Sequence, residues 1–227
     1  MKKVATVFLA TSLLCSSVVF AEPTSSSKKT EVTTTQKLSS KTIKGNIFNL
    51  SDQQMKNAIK IGLGGNETYF KYSKSQSFPI LYDKMKFLQP VTTLVTPYSL
   101  IASEAYFAAD EYKEFTLADA KDITKMFAQI DVLSFRVIAF GDDIDFANSL
   151  NIVLKQGSKF YQPLEIVGLN ESADHTSSWP DSPAYKKLLI ADFDINKIDF
   201  SKPAELIYLY TGKEFSVTYK VDFSKIK

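Results

Sequence analysis

The apolar residues of this chain change their spacing near residue 131, and this change limits the available folds most strongly. Before that point, apolar positions recur every three or four residues, as in amphipathic helices. After it, they alternate with polar positions, as in strands with one buried face. We therefore expect an α+β protein. A mainly helical subdomain (a helix plus a helical hairpin) would span residues 45–130, and an antiparallel β-sandwich would span residues 131–227.

Helix starts in the first half are marked by local capping signals. Three N-cap residues are followed by a favourable residue in the first turn: Ser51 with Gln54, Thr96 with Pro97, and Thr116 with Asp119. Apolar residues follow each start at helical spacing, and the second and third of these helices form the predicted hairpin. The segment 66–95 is ambiguous. Its run 69–72 resembles a strand, whereas Leu81, Met85 and Leu88 have the spacing of a helix face.

About six strands are predicted in the second half. They cover residues 134–140, 150–154, 160–167, 189–195, 206–210 and 215–223. Six short strands within roughly 95 residues are typical of an antiparallel sandwich or barrel. The final strand has the strictest alternation, and we predict it to be the edge strand that a partner chain would join.

The first 21 residues have the anatomy of a bacterial secretory signal peptide. Two lysines precede the apolar run 4–14, and Val19 and Ala21 are small residues before the cleavage point. The run is too short and wrongly flanked to span a bilayer. We expect cleavage after Ala21, no transmembrane segment in the mature chain, and an exported protein that is secreted, periplasmic or displayed on the cell surface.

The single cysteine, Cys15, lies inside this leader. The residue before it, Leu14, is larger than the small residue that a lipoprotein cleavage box requires, so cleavage after Ala21 is preferred and lipidation at Cys15 is the alternative. Cleavage after Ala21 leaves a chain without cysteine. This excludes disulfides, thiolate nucleophiles and cysteine metal sites.

Residues 22–44 are rich in Ser, Thr and Lys and nearly free of apolar residues, which predicts a disordered tether. The alternative is that their positive charge contacts an anionic envelope surface. The whole chain has 27 Lys and Arg residues against 25 Asp and Glu residues, and the leader removes Lys2 and Lys3, so the mature charges balance. A balanced chain has no electrostatic footprint for nucleic acid, and we expect no such partner.

The long loop 168–184 is the first candidate for a ligand-binding surface. It contains Asn170, Asp174, His175 and Trp179, including the only histidine and the only tryptophan of the chain. A tryptophan beside polar side chains can stack on a sugar ring while its neighbours bind the hydroxyls. The alternative is that Trp179 folds back as a hydrophobic plug. A catalytic role for His175 with Asp174 is disfavoured, because adjacent side chains of an extended segment point apart.

Three carboxylates, Asp142, Asp143 and Asp145, follow Gly141 and form a candidate calcium site. Calcium requires six to eight oxygen ligands, which inter-strand loops of extracellular sandwiches often supply. A second acidic run over residues 192–199 lacks the glycine and the glutamate of an EF-hand. No other cofactor is expected.

These observations favour a non-catalytic binding module of the cell envelope or extracellular space. Its ligand would be a glycan, another envelope component or a protein, held at the 168–184 loop. One alternative is an exported hydrolase that uses carboxylates in a cleft between the helical and β parts. Another is a structural or assembly subunit that pairs through an edge strand. A deep pocket with acids of perturbed pKa would favour the hydrolase, and an exposed aromatic patch would favour the binding module.

Overall fold

The computed structural model describes residues 38–86 and 88–226. Within these ranges there are five α-helices: α1 Ser40–Phe48, α2 Asp52–Gly62, α3 Gly65–Ser75, α4 Pro97–Asp110 and α5 Leu117–Ala128. The same ranges contain ten strands: β1 Ile80–Asp83, β2 Val91–Leu94, β3 Val132–Gly141, β4 Leu150–Gln156, β5 Lys159–Tyr161, β6 Glu165–Val167, β7 Asp174–His175, β8 Tyr185–Asp194, β9 Ala204–Tyr210 and β10 Phe215–Val221. None of the helices in these ranges is long and apolar enough to cross a membrane.

The strands form two antiparallel sheets. One sheet has the order β1-β10-β9-β4-β5, and the other has the order β2-β3-β8-β6, with β7 also paired to β8. Alternate residues of both sheets meet in one buried cluster, to which Phe135 and Leu189 contribute from one sheet and Ile152, Leu206 and Val217 from the other. The α+β class with a sandwich-like arrangement of sheets, expected from the sequence, is therefore confirmed.

The helices have a smaller core of their own. Met55 and Ala58 of α2 pack with Ile101 and Ala102 of α4 and with Ala120 of α5. All three predicted capping signals lie at the starts of α2, α4 and α5, and each N-cap side chain accepts a hydrogen bond from a backbone N–H of the first turn. Local chemistry therefore sets where these helices begin, and the apolar faces that follow set where they pack.

Helices α2 and α4 approach each other closely where α2 ends. A Cβ atom placed on Gly62 would lie 2.5 Å from the carbonyl oxygen of Ala102 and 2.7 Å from the Cβ of Ala105. Such distances are well inside van der Waals contact, so only glycine fits at this position without movement of the helices.

The ambiguous segment 66–95 forms a helix where its pattern resembles a strand, and a strand where its spacing resembles a helix face. The strand-like run 69–72 lies in α3, because the ring of Tyr69 stacks on Tyr106 of α4 with centroids 4.3 Å apart. Conversely, Leu81 lies in β1, which pairs with β10 instead of forming a helix face. In both cases tertiary packing overrides the propensity of a short segment. Two strands, β1 and β2, thus arise within the range assigned to the helical subdomain, and the helices and sheets belong to one compact unit.

Two strand predictions also require correction. The predicted strand 160–167 is two strands in different sheets, because Pro163 lacks the N–H that a continuous ladder needs. The final strand β10 is not an edge strand. It lies between β9 and β1, so the edges of that sheet are β1 and β5, which the apolar pattern of β10 could not reveal.

The last residues of the tether predicted over residues 22–44 are helical, because α1 begins at Ser40. Ile43, Ile47 and Phe48 of this helix are buried against the end of the sandwich. The predicted signal peptide, Cys15 and residues 22–37 lie outside the described residues.

A recurring turn closes the sandwich at the end where α1 packs. The pattern Asp-x-Asn/Ser-Lys occurs at residues 194–197, 199–202 and 222–225. In each turn the aspartate accepts a hydrogen bond from the backbone N–H two residues later and pairs with the lysine three residues later. Two of these turns place Phe200 and Phe223 in the core, with ring centroids 4.7 Å apart.

Hydrogen bonds in these turns make the fold sensitive to acid. They lower the pKa of Asp194 mainly through the N–H of Asn196, and the pKa of Asp199 and Asp222 mainly through the serine hydroxyls two residues later. Unfolded aspartate titrates near pH 3.9. The folded state therefore favours the ionised carboxylates, and their contribution to stability is present above about pH 4 and is lost as the pH falls below it.

Asp199→Asn tests this dependence. The variant should be less stable than the wild type at pH 6, because the amide cannot replace the charged acceptor of the serine hydroxyl and the lysine. It should also lose less stability between pH 6 and pH 3, because the titrating group is absent. Urea unfolding followed by circular dichroism at both pH values measures the two differences. A variant that loses as much stability on acidification as the wild type would contradict the role assigned to Asp199.

Candidate functional site

The 168–184 loop is held to the sheet at its C-terminal end. The side chain of Asp142, at the end of β3, accepts hydrogen bonds from the Ser182 hydroxyl at 3.0 Å and from the backbone N–H of Ala184 at 3.1 Å. Across the loop, the N–H of Thr176 donates to the carbonyl of Ala184 at 2.9 Å, and the Thr176 hydroxyl donates to the carbonyl of Pro183. These bonds close residues 176–184 into an ordered turn on the sandwich.

The N-terminal part of the loop is held by a buried lysine. Lys187 of β8 is 9% exposed, and its ammonium donates to the carboxylate of Glu171 at 2.8 Å and to the carbonyl of Ser172 at 3.0 Å. Gly168, where the loop begins, has φ +92° and lies so close to β8 that an added Cβ would be 2.5 Å from the carbonyl of Leu188. The backbone that carries the candidate residues is therefore fixed on both sides.

An aromatic cluster of three rings forms the surface of this loop. The ring of His175 lies 4.8 Å from the ring of Trp179 and 5.3 Å from the ring of Tyr185, measured between centroids. His175 comes from β7, which pairs with β8 directly opposite Tyr185. Trp179 remains 52% exposed, so it does not fold back as a plug over the sandwich. The cluster therefore leaves about half of Trp179 in solvent while the ring of His175 packs against it.

A groove with a volume of about 410 Å³ lies beside the end of the loop. Its walls are Lys86, Leu88 and Gln89 on one side and Phe140 and Pro183 on the other. The amide of Gln89 donates to the carboxylate of Asp83 at 2.6 Å, which orients the turn that carries these side chains. The groove supplies apolar walls together with an ammonium and an amide, which is the mixture found where small polar ligands bind.

The other predicted binding residues lie on the same loop without joining the aromatic cluster. Asp174 precedes His175 in β7 and is paired in register with Lys186. Its side chain and that of His175 lie on opposite faces of the strand, so Asp174 does not orient the imidazole. Asn170 is exposed in the left-handed conformation at φ 58°, which is common for asparagine in turns.

Two of the three carboxylates proposed as a calcium site, those of Asp142 and Asp143, accept local hydrogen bonds. Asp142 holds the loop as described, and Asp143 accepts a hydrogen bond from the N–H of Asp145 at 2.8 Å. Across residues 38–86 and 88–226, no three histidine, cysteine or acidic side chains come together as a metal-binding group. Calcium at this position therefore rests on the sequence pattern alone.

Two acids that the sequence did not single out as a pair lie side by side in the second sheet. Glu165 of β6 is directly opposite Asp192 of β8. Burial raises the pKa of Asp192, a hydrogen bond from Ser134 opposes the change, and the charge of Glu165 raises it further. Neither acid lines the groove beside the loop, so the pair does not form the acid-lined pocket that the hydrolase alternative requires.

Tyr185 is the aromatic residue that sequence reasoning missed. It lies just after the loop at the start of β8, so its contact with His175 depends on the register between β7 and β8. The role of Asp142 as a loop anchor was missed for the same reason, because its partners Ser182 and Ala184 are about 40 residues away along the chain.

Comparison of this chain with protein-family models, with curated proteins and with solved structures finds no match in any of the three.

Proposed function

We propose that this chain is an exported, non-catalytic module that binds a glycan of the cell envelope at the 168–184 loop. The observation that carries the proposal is the aromatic cluster, in which Trp179 is half exposed and lies against His175, which in turn lies against Tyr185. The face of an aromatic ring packs against the C–H face of a sugar, and neighbouring polar groups bind the hydroxyls. The export signal in the first 21 residues supports an extracellular location for such a ligand.

The anchoring of the loop supports binding over a purely structural role. Asp142 and Lys187 hold the two parts of the loop by charge-assisted hydrogen bonds. A loop that is already ordered loses little conformational entropy when a ligand binds, which favours affinity. The groove beside Pro183, at the end of the same loop, adds Lys86 and Gln89 as hydrogen-bond donors.

A sedimentation assay with the mature chain, residues 22–227, tests the proposal. The protein is mixed with purified peptidoglycan, outer-surface polysaccharide or membrane vesicles, and the retained fraction is measured. The wild type should be retained by a polysaccharide fraction. Trp179→Ala should weaken that retention about ten-fold or more, because aromatic anchors at the centre of a binding surface contribute most of its energy.

Tyr112→Ala is the matched control. Tyr112 is also an aromatic residue and is fully exposed, but it lies at the end of α4 and not on the loop. Its removal should leave retention unchanged. If Trp179→Ala is retained as well as the wild type, the binding site does not lie on the loop. If neither polysaccharide retains the wild type, the proposed function is contradicted.

A further inference from the structure

A second exposed aromatic surface lies where the chain crosses from one sheet to the other. Residues 162–164 connect β5 of the first sheet to β6 of the second, and they form one wall of a cleft of about 350 Å³. Phe160 and Leu164 line this wall, and each is 62% exposed. Asp194 and Lys197, at the end of β8, line the opposite wall.

The exposed ring of Phe160 lies beside an ion pair of the first sheet. Phe160 is paired in register with Lys155 of β4, whose ammonium lies 6.0 Å from the centroid of the ring. Lys155 is itself held by an ion pair with Glu205 at 2.9 Å. Phe160 therefore lies on a paired strand beside an oriented cation, with most of its surface in solvent.

The polar side chains of the cleft are also oriented before any ligand binds. Asp194 pairs with Lys197 at 3.2 Å and accepts a hydrogen bond from the N–H of Asn196 at 3.0 Å. Gln162 accepts a hydrogen bond from the amide of Asn151 at 3.3 Å. Each carboxylate oxygen has two lone pairs and an ammonium has three donors, so both groups retain capacity for hydroxyls of a ligand.

Part of this cleft lies along the edge of the second sheet that also carries the aromatic cluster, whereas Phe160 lies on β5 of the first sheet. The β7 strand, which carries His175, pairs with β8 at Tyr185, whereas β6 pairs with β8 at residues 190–192. The two surfaces therefore flank opposite ends of β8. Nine residue steps separate Tyr185 from Asp194, which at the rise of a strand correspond to about 30 Å.

We infer that the cleft is a second subsite for the same ligand, and that this ligand is an extended polysaccharide chain long enough to contact both surfaces. The inference rests on the proposed function, because the first subsite is the loop. Trp179 lies beside the imidazole of His175, and Phe160 lines a cleft with the side chains of Gln162, Asp194 and Lys197, so both surfaces combine an exposed ring with polar groups, the chemistry that recognises a sugar ring. Two subsites on one polymer raise the overall affinity through effective concentration, without any new contact.

The test compares intact peptidoglycan and intact outer-surface polysaccharide with disaccharide fragments of each, using the mature chain. The intact polymer should bind about 10²-fold more tightly than its disaccharide, because only the polymer engages both subsites. Phe160→Ala should lower affinity for the polymer about 10²-fold and so bring it close to the affinity for the disaccharide. Tyr82→Ala is the matched control, because Tyr82 is equally exposed at 62% but lies on β1, at the opposite edge of the first sheet from β5.

The outcomes separate the two proposals. If Phe160→Ala binds the polymer as tightly as the wild type and Trp179→Ala does not, the second subsite is overturned and the loop site stands. Equal affinity of the wild type for polymer and disaccharide overturns it as well. A wild type that binds neither polysaccharide overturns the proposed function itself. Thermal unfolding of each variant excludes misfolding as the cause of lost binding, since both substituted rings are largely in solvent.

Discussion

Replacing Phe223 by alanine is expected to lower the free energy of unfolding by about 3–5 kcal/mol, the usual range for a buried phenylalanine. Phe223 is 1% exposed, and its ring contacts that of Phe200 at one end of the sandwich core. Phe200 in turn meets Phe48 of α1 edge-on, with centroids 6.1 Å apart. The cavity left by Phe223→Ala would therefore weaken both the sandwich and the docking of α1. Urea unfolding followed by circular dichroism measures the loss.

Phe160→Ala provides the comparison, because it removes the same side chain from a position that is 62% exposed. Its effect on stability should stay within about 0.5 kcal/mol, as for most surface substitutions. If Phe223→Ala were no more destabilising than Phe160→Ala, the close packing of Phe223 against Phe200 at the end of the sandwich would be contradicted.

Gly62→Ala is expected to destabilise the protein by about 1–3 kcal/mol, the range for overpacking of a tight interface. The added methyl group would lie 2.5 Å from the carbonyl oxygen of Ala102, so α2 and α4 must separate to admit it. Alanine has a helix propensity about 1 kcal/mol more favourable than that of glycine. A net loss would therefore mean that the helix contact outweighs this gain. Thermal and urea unfolding measure the difference from the wild type.

Gly45→Ala makes the same substitution where there is room for it. In α1, the nearest atom to an added Cβ at position 45 is the side-chain nitrogen of Asn49 at 3.7 Å, an ordinary contact. The gain in helix propensity should then appear alone and stabilise the protein by about 0.5–1 kcal/mol. Opposite signs at the two glycines would locate the close contact between α2 and α4, and destabilisation at both would contradict it.

Features that depend on neighbouring residues could be predicted from the sequence. The starts of α2, α4 and α5 follow from N-cap side chains that bond to N–H groups two or three residues later. Strands β3, β8 and β10 follow from alternation that buries every second residue over most of their length. In both cases the physical cause lies within one segment, so the segment alone reveals it.

Features that depend on distant partners could not be predicted. The run at Tyr69 looks like a strand, and its helix is explained by a stacked tyrosine 37 positions later in the chain, Tyr106. The edge position of β1 follows from its pairing with β10, more than 130 residues away. Propensity is a weak guide where such contacts are available, because they contribute more free energy than the local preference.

The candidate site also has features that the sequence could predict and features that it could not. The loop with Trp179 and His175 was recognisable from its length and composition, and the exposure of the indole is the property that distinguishes a binding surface from a plug. The contribution of Tyr185 and the cleft at Phe160 was not recognisable, because each depends on how strands from separate parts of the chain are ordered in the sheets. Composition thus indicates which loop to examine, and topology determines what lies beside it.

The position of α1 has a consequence for what a partner of this helix would cover. The N–H of Phe200 donates to the Ser40 hydroxyl at 2.7 Å, so the first helix docks beyond the C-terminal end of β8. The aromatic cluster lies at the N-terminal end of the same strand, about 30 Å away by the rise of a strand. A partner that bound α1 would therefore lie at the opposite end of β8 from His175 and Tyr185, and it would leave the aromatic cluster uncovered.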